Sequence, residues 1–175
     1  LNIGQKKVDE YFSFDKLNIL YAQLHKVAAE NPTAKKIVFD FIDDRGDIIS
    51  PLYFYFTIHP DLIPKNVQLR LFHYNGNLDE NGDVQEGAVM PVTQGAYNED
   101  GSISDRYGFM GQGDIDVNYR QTVVDMGEIS AQFRKPKGGY LMTEHVTPDA
   151  LKEWKAKRAP VGEAHGTGVA ASLSV

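Results

Sequence analysis

Between residues 15 and 74 the chain changes its hydrophobic period from helix to strand twice over, and that alternation restricts the folds open to it more than any single motif. In "FDKLNILYAQLHKVAAENP", Leu17, Leu20, Leu24 and Val27 recur at helical spacing. Asp15 is placed to cap the start of that helix, and Asn31-Pro32 to stop it. Residues 37–42, "IVFDFI", form a short continuous apolar run between Lys36 and turn-forming residues. Such a run reads as a strand buried in a parallel sheet, with Asp40 as the exception inside it. "DIISPLYFYFTIHP", from Asp47, supports a second helix with Ile48, Leu52 and Tyr55 or Phe56 inward, Pro51 lying in its first turn or bending it. Residues 67–74, "VQLRLFHY", alternate apolar and polar and stop at Asn75-Gly76, as a strand does. The succession predicts an α/β domain, a sheet with flanking helices, in which 37–42 is an inner strand with 67–72 beside it.

Beyond Gly76 the character changes. Residues 76–118 are rich in Gly, Asn and Asp, with turn dipeptides at Asn81-Gly82 and Asp100-Gly101. They predict a long loop or β-ribbon excursion, in which "AVMPVT" and "GSISD" are short enough for ribbon strands. This segment is expected to hold the least stable backbone and the most exposed aromatics. "RQTVVDMGEISAQF" returns as a strand or a helix, and "TPDALKEWKAKR" as a helix with Thr147 as cap, Pro148 first and Asp149 at the positive end. The small residues of 162–175 predict disorder or a late strand.

The 175 residues, 42% hydrophobic and 24% charged, suit a single domain, 1–175. That domain is either complete in itself or the C-terminal part of a larger one. The lack of cysteine excludes thiolate chemistry and disulfides and identifies no compartment; the cytoplasm is favoured, with export left open. A formal charge of −6 argues against nucleic acid as a partner, and Lys152, Lys155, Lys157 and Arg158 read as a solvated helix face. The apolar runs fall well short of the ~20 residues a membrane-spanning helix needs.

The chemistry concentrates at Asp43-Asp44. A strand ending in two acids sets both carboxylates at the carboxyl edge of a sheet, where open α/β sheets bind ligands. A hard cation such as Mg²⁺ takes one or two carboxylates there, with water and substrate phosphate. Equally, one of the acids caps the helix that begins near Gly46, and as exposed strand-end groups both would add little to stability. The acidic segments from Asp79 and Asn98 lack the calcium-loop pattern and read as turns. The five histidines show no zinc spacing, and "HGTGVAAS" from His165 is a short match to a protease histidine motif without its partners.

Lys16 leading an amphipathic helix, followed about one helix later by "VFDFIDD" closing a strand, resembles the C-terminal half of the haloacid dehalogenase-like phosphohydrolases. The segment "LIPKNVQLRLFHYNG" is similar in style to the next core strand of some bacterial members, so the likeness covers residues 10–76. It implies Mg²⁺-dependent transfer of a phosphoryl group through an aspartyl intermediate, on a phosphorylated substrate. By that resemblance Lys16 neutralises charge on nucleophile and phosphate, while Asp43 and Asp44 complete the metal site. The family carries its nucleophile on an apolar strand ending in Asp-x-Asp, which nothing before Lys16 supplies. The sole Asp-x-Asp here is Asp114-Ile115-Asp116, after "YGFMGQG". The opening Leu1 leads to the expectation that the nucleophile lies upstream; Asp114 and Asp116 are the weaker candidates. The alternative is a noncatalytic α/β protein-binding module, of the kind exported by bacteria as effectors, with aromatics of the glycine-rich segment facing a protein partner.

Overall fold

The computed structural model describes the backbone of residues 2–133 and 145–166. Helix α1, Asn2–Glu30, leads into strand β1, Ile37–Asp43; helix α2, Gly46–Ile58, then carries the chain over to strand β2, Val67–Tyr74. β1 and β2 are parallel and in register from Ile37 opposite Val67 to Asp43 opposite His73. This is a βαβ unit, the connection parallel strands require. Two short strands run antiparallel to β2: β3, Val89–Pro91, beside its end, and β4, Phe109–Met110, beside its start. Helices α3, Tyr119–Gln132, and α4, Pro148–Gly166, complete the described chain. The result is a mixed four-stranded sheet with helices, the α/β class that the alternation predicts.

One core joins these elements. Leu17, Leu20 and Leu24 of α1 meet Ile48, Leu52 and Phe56 of α2, Leu69 and Leu71 of β2, and Met126 of α3, all fully buried. Each such side chain contributes about 1.5–3 kcal/mol by leaving water. α1 packs on α2 and α3, and α3 on α4. α3 and α4 are also tied by a fork: the two terminal guanidinium nitrogens of Arg158 donate to buried Asp125, so Arg158 of the basic face is an anchor as well as a half-solvated charge. Asn31 ends α1 as expected, its amide donating to the Val27 carbonyl at 2.9 Å. Thr147 caps α4 through the Ala150 N–H at 3.1 Å.

Three expectations are corrected. The order of pairing puts β1 at an edge and β2 in the middle of the described sheet. In β1 the burial therefore alternates, with Val38 47% and Ile42 51% exposed beside Asp40, whereas β2 is buried on both faces from Val67 to Leu69 and again at Leu71 and Phe72. The continuous apolar run is the half-exposed strand and the alternating one the enclosed strand. Polar Gln68 is accommodated because its amide donates to the Asp105 carbonyl at 2.9 Å and to that of Tyr107. Second, α1 does not start at Asp15, which lies within its span. Third, residues 162–166 belong to α4 and are not a tail, while the rest of that segment, with most of the motif from His165, lies outside the described residues.

The excursion is more built than its composition suggests. Leu78 bridges to Val84 and Tyr97 to Ile103, each pair closing a small turn. Asp79 Oδ1 accepts the N–H groups of Asn81 and Asp83 at 2.8 and 2.9 Å, and Asp100 Oδ1 accepts that of Ser102 at 3.0 Å. These acids make turns, as read from the sequence. Tyr107 and Ala96 are buried against Phe72 on the sheet face away from the main core.

Candidate functional site

The carboxyl end of β1 brings Lys16 and Asp43 together. Leu17 and Leu20 turn into the core, which orients the adjacent Lys16 along the sheet toward the strand end. Its Nζ lies 3.0 Å from Asp43 Oδ2 and 5.8 Å from the centre of the Phe41 ring. Asp43 is only 8% exposed, on the core side of β1 with Phe41. Its Oδ1 accepts the Arg45 N–H at 2.9 Å, a side-chain turn that swings the chain from strand into α2. The capping role is thus met in part: Asp43 shapes the approach, and the N-cap itself is Arg45, without a side-chain cap. Arg45 Nε donates to Asp47 at 3.1 Å, and that bond holds the Asp47 carboxyl below its usual range.

Asp44 points the other way, to solvent. Its carbonyl accepts His73 Nε2 at 3.0 Å, and His73 stands directly opposite Asp43 in the strand register. His73 was not singled out by sequence reasoning. The signal was available: two parallel strands of matching length end together, so whatever closes β2 lies beside whatever closes β1.

The weaker candidates lie elsewhere. Asp114 has a fully exposed side chain, 3.9 Å from Lys65. Asp116 accepts the Tyr21 hydroxyl at 2.9 Å, the Thr122 hydroxyl and the Asn118 N–H, with Lys155 Nζ at 3.9 Å. Burial acts to raise the Asp116 pKa, but these donors and the Lys155 charge outweigh it and hold it below the usual range. The preceding Gly113 bonds Ile63 and Lys65, just ahead of β2. Asp114 and Asp116 therefore sit by the amino ends of the parallel strands, roughly 20 Å, the length of β1, from Asp43.

The fit to magnesium rests on the donor set. Among the described residues no three His, Asp or Glu side chains converge on one point. At the end of β1 Asp43 faces the core side, its two oxygens engaged by Lys16 and Arg45, and Asp44 faces solvent, so Asp44 is the hard-oxygen carboxylate open to an ion. One carboxylate completed by water and substrate phosphate is enough for that ion. No helix of the described residues is long and apolar enough to cross a membrane. Comparison of the chain with family models, curated proteins and solved structures finds no match.

Proposed function

We propose that the end of β1 is the charge-compensating half of a Mg²⁺-dependent phosphoryl-transfer centre of the phosphohydrolase type. The observation that carries this reading is the Lys16–Asp43 pair, 3.0 Å apart at the carboxyl edge of a parallel strand pair. Asp44 would hold the ion together with water and substrate phosphate, and the ion would supply Lewis-acid neutralisation of phosphate oxygens. Lys16 binds the transferring group, and Asp43 fixes that ammonium where charge develops. His73, held on the Asp44 carbonyl, is the neighbouring group able to carry a proton. The attacking carboxylate would be supplied by a strand added along the outer edge of β1, which is unpaired among the described residues. The test is calorimetric titration with Mg²⁺ and hydrolysis of an aryl phosphate. Binding and turnover that vanish in Asp44→Asn, a solvent-facing change, support the centre. A chain that binds no Mg²⁺ at millimolar concentration sinks it.

The half-exposed Val38 and Ile42 on that same edge strand favour a second reading, a noncatalytic protein-binding module. Capture of a protein partner by a chain silent toward Mg²⁺ and phosphate, lost on changing Val38 and Ile42 to Thr, would establish it in place of the enzyme.

A further inference from the structure

The edge of β2 opposite β1 is interrupted. β4 covers its start and β3 its end, and between them the Leu71 carbonyl has no strand partner. Tyr107 fills the break: its hydroxyl donates to Leu71 O and accepts the Val92 N–H at 2.8 Å. A side chain thus performs the work of a missing backbone rung. Next to this break is an open cleft of about 270 Å³, near the ~300 Å³ lower end of small-ligand sites.

Its lining is chemically mixed in a specific way. Tyr53, Tyr107 and Phe109 supply aromatic surface, with the Tyr53 and Phe109 rings 5.3 Å apart. Thr93 and Ser104 supply hydroxyls. Arg106 supplies a guanidinium that makes no ion pair or hydrogen bond among the described residues, although the chain is acidic overall. Of the nearby acids, Asp100 bonds Ser102 and Asp40 takes Arg70, while exposed Asp105 and Glu99 make no ion pair with Arg106. The walls are held in place. Tyr107 is fixed by its two backbone bonds, and Gly108, at φ +98°, lies so close to β2 that a Cβ would overlap the Leu69 carbonyl. At Gly95, by contrast, a Cβ would meet nothing within 4 Å, and φ is not positive there, so that position opens on free space.

We propose that this cleft binds a small anionic aromatic compound, its ring against Tyr53, Tyr107 and Phe109 and its carboxylate or phosphate on Arg106. An unpaired guanidinium beside aromatic walls selects for that combination, because it gives planar anions charge-assisted, bidentate bonds. The hydroxyls of Thr93 and Ser104 donate to the same group. The site shares no residue with Lys16, Asp43, Asp44 and His73 and stands whether or not the phosphoryl-transfer reading does.

The experiment titrates the full chain with benzoate, phenyl phosphate and neutral benzyl alcohol, followed by amide chemical shifts and calorimetry. Benzoate or phenyl phosphate should bind about tenfold or more tightly than benzyl alcohol, the weight of one charge-assisted contact. Shifts should centre on Ser104, Tyr107 and Phe109. Whichever anion binds better identifies the headgroup. Arg106→Gln should remove that preference and leave the benzyl alcohol affinity unchanged, and Gly95→Leu, which fills the space, should weaken all three. Both substitutions are at exposed positions and should fold. Equal affinity for charged and neutral probes, or binding unmoved by both variants, overturns the proposal. So does binding that disappears in Asp44→Asn and persists in Arg106→Gln, which would assign the anion to the end of β1.

Discussion

The Asp116 N–H donates to Nδ1 of His25 at 2.9 Å, joining residues 91 positions apart, while Nε2 of the same ring bonds the Leu62 carbonyl at 2.9 Å. With Nδ1 accepting, the proton must be on Nε2, so a neutral imidazole locks the segment before α3 onto α1. Burial lowers the His25 pKa, against raising contributions from the Leu62 bond and the Asp116 charge; Lys155 reinforces the lowering and the Tyr21 ring lies 4.1 Å away. A depressed histidine pKa means that the unfolded chain takes up the proton first. Stability should therefore be full above about pH 6.5 and fall as the medium is acidified below it. His25→Gln, which does not titrate, should lower stability at pH 7.5 and flatten the decline between pH 7 and 5. Urea unfolding at several pH values reads both effects, and parallel curves for the two proteins would refute the assignment.

Asp43 and Asp44 should separate sharply under mutation. As neighbours in sequence they read as two exposed acids of little structural weight, yet Asp43 closes β1 on its core side and Asp44, in the bend just past the strand, is exposed to water. Asp43→Asn keeps the acceptor for Arg45 N–H and loses the charge opposite Lys16, so it should cost about 1.5–3 kcal/mol. Asp44→Asn should stay within ~0.5 kcal/mol. Chemical denaturation of both distinguishes this from equivalent roles.

What the sequence made legible was local periodicity and punctuation. The inward residues of α2, Ile48, Leu52, Tyr55 and Phe56, the stop at Asn31 and the cap at Thr147 each follow from spacing or side-chain chemistry within a few residues. The Lys16–Asp43 contact lies beyond the reach of periodicity, because it joins the middle of α1 to the end of β1. The exchanged roles of β1 and β2 were hidden because enclosure depends on which strands pair, and residues 37–42 contain nothing that reports the late arrival of β3 and β4 on the far edge of β2. Gln68 compounds this: it looks like a solvent-facing position, and its burial depends on carbonyls 37 and 39 positions away.

The glycines of "YGFMGQG" were misleading in the same manner, since glycine serves both flexibility and close approach. Here it is close approach. A Cβ at Gly108 would overlap Leu69 O and one at Gly111 would overlap Pro64 O, both backbone atoms without room to move. Gly108→Ala should cost at least ~2 kcal/mol through backbone strain and overlap. Gly46→Ala, at the head of α2 with nothing within 4 Å, should be neutral or stabilise by up to ~1 kcal/mol. Thermal unfolding of the pair decides whether this segment is pinned to the sheet; equal small effects would return it to a mobile excursion.

Tyr107→Phe tests the same attachment with one oxygen atom. The phenyl ring would keep its packing against Phe72, whose centre is 5.5 Å away, so little apolar burial is lost. The hydroxyl, however, is the partner of both the Leu71 carbonyl and the Val92 N–H, and its removal leaves two backbone groups at the sheet interruption without a bond. An unmet buried polar group costs about 1–3 kcal/mol, and water entering from the adjacent cleft would recover part of that, so a loss of roughly 2 kcal/mol is expected. Hydrogen exchange should localise the effect, with faster exchange at Val92 and at the amides of β3 and unchanged protection in β1. A variant as stable as the parent, with β3 equally protected, would mean that the Tyr107 hydroxyl does not hold the break in the sheet together.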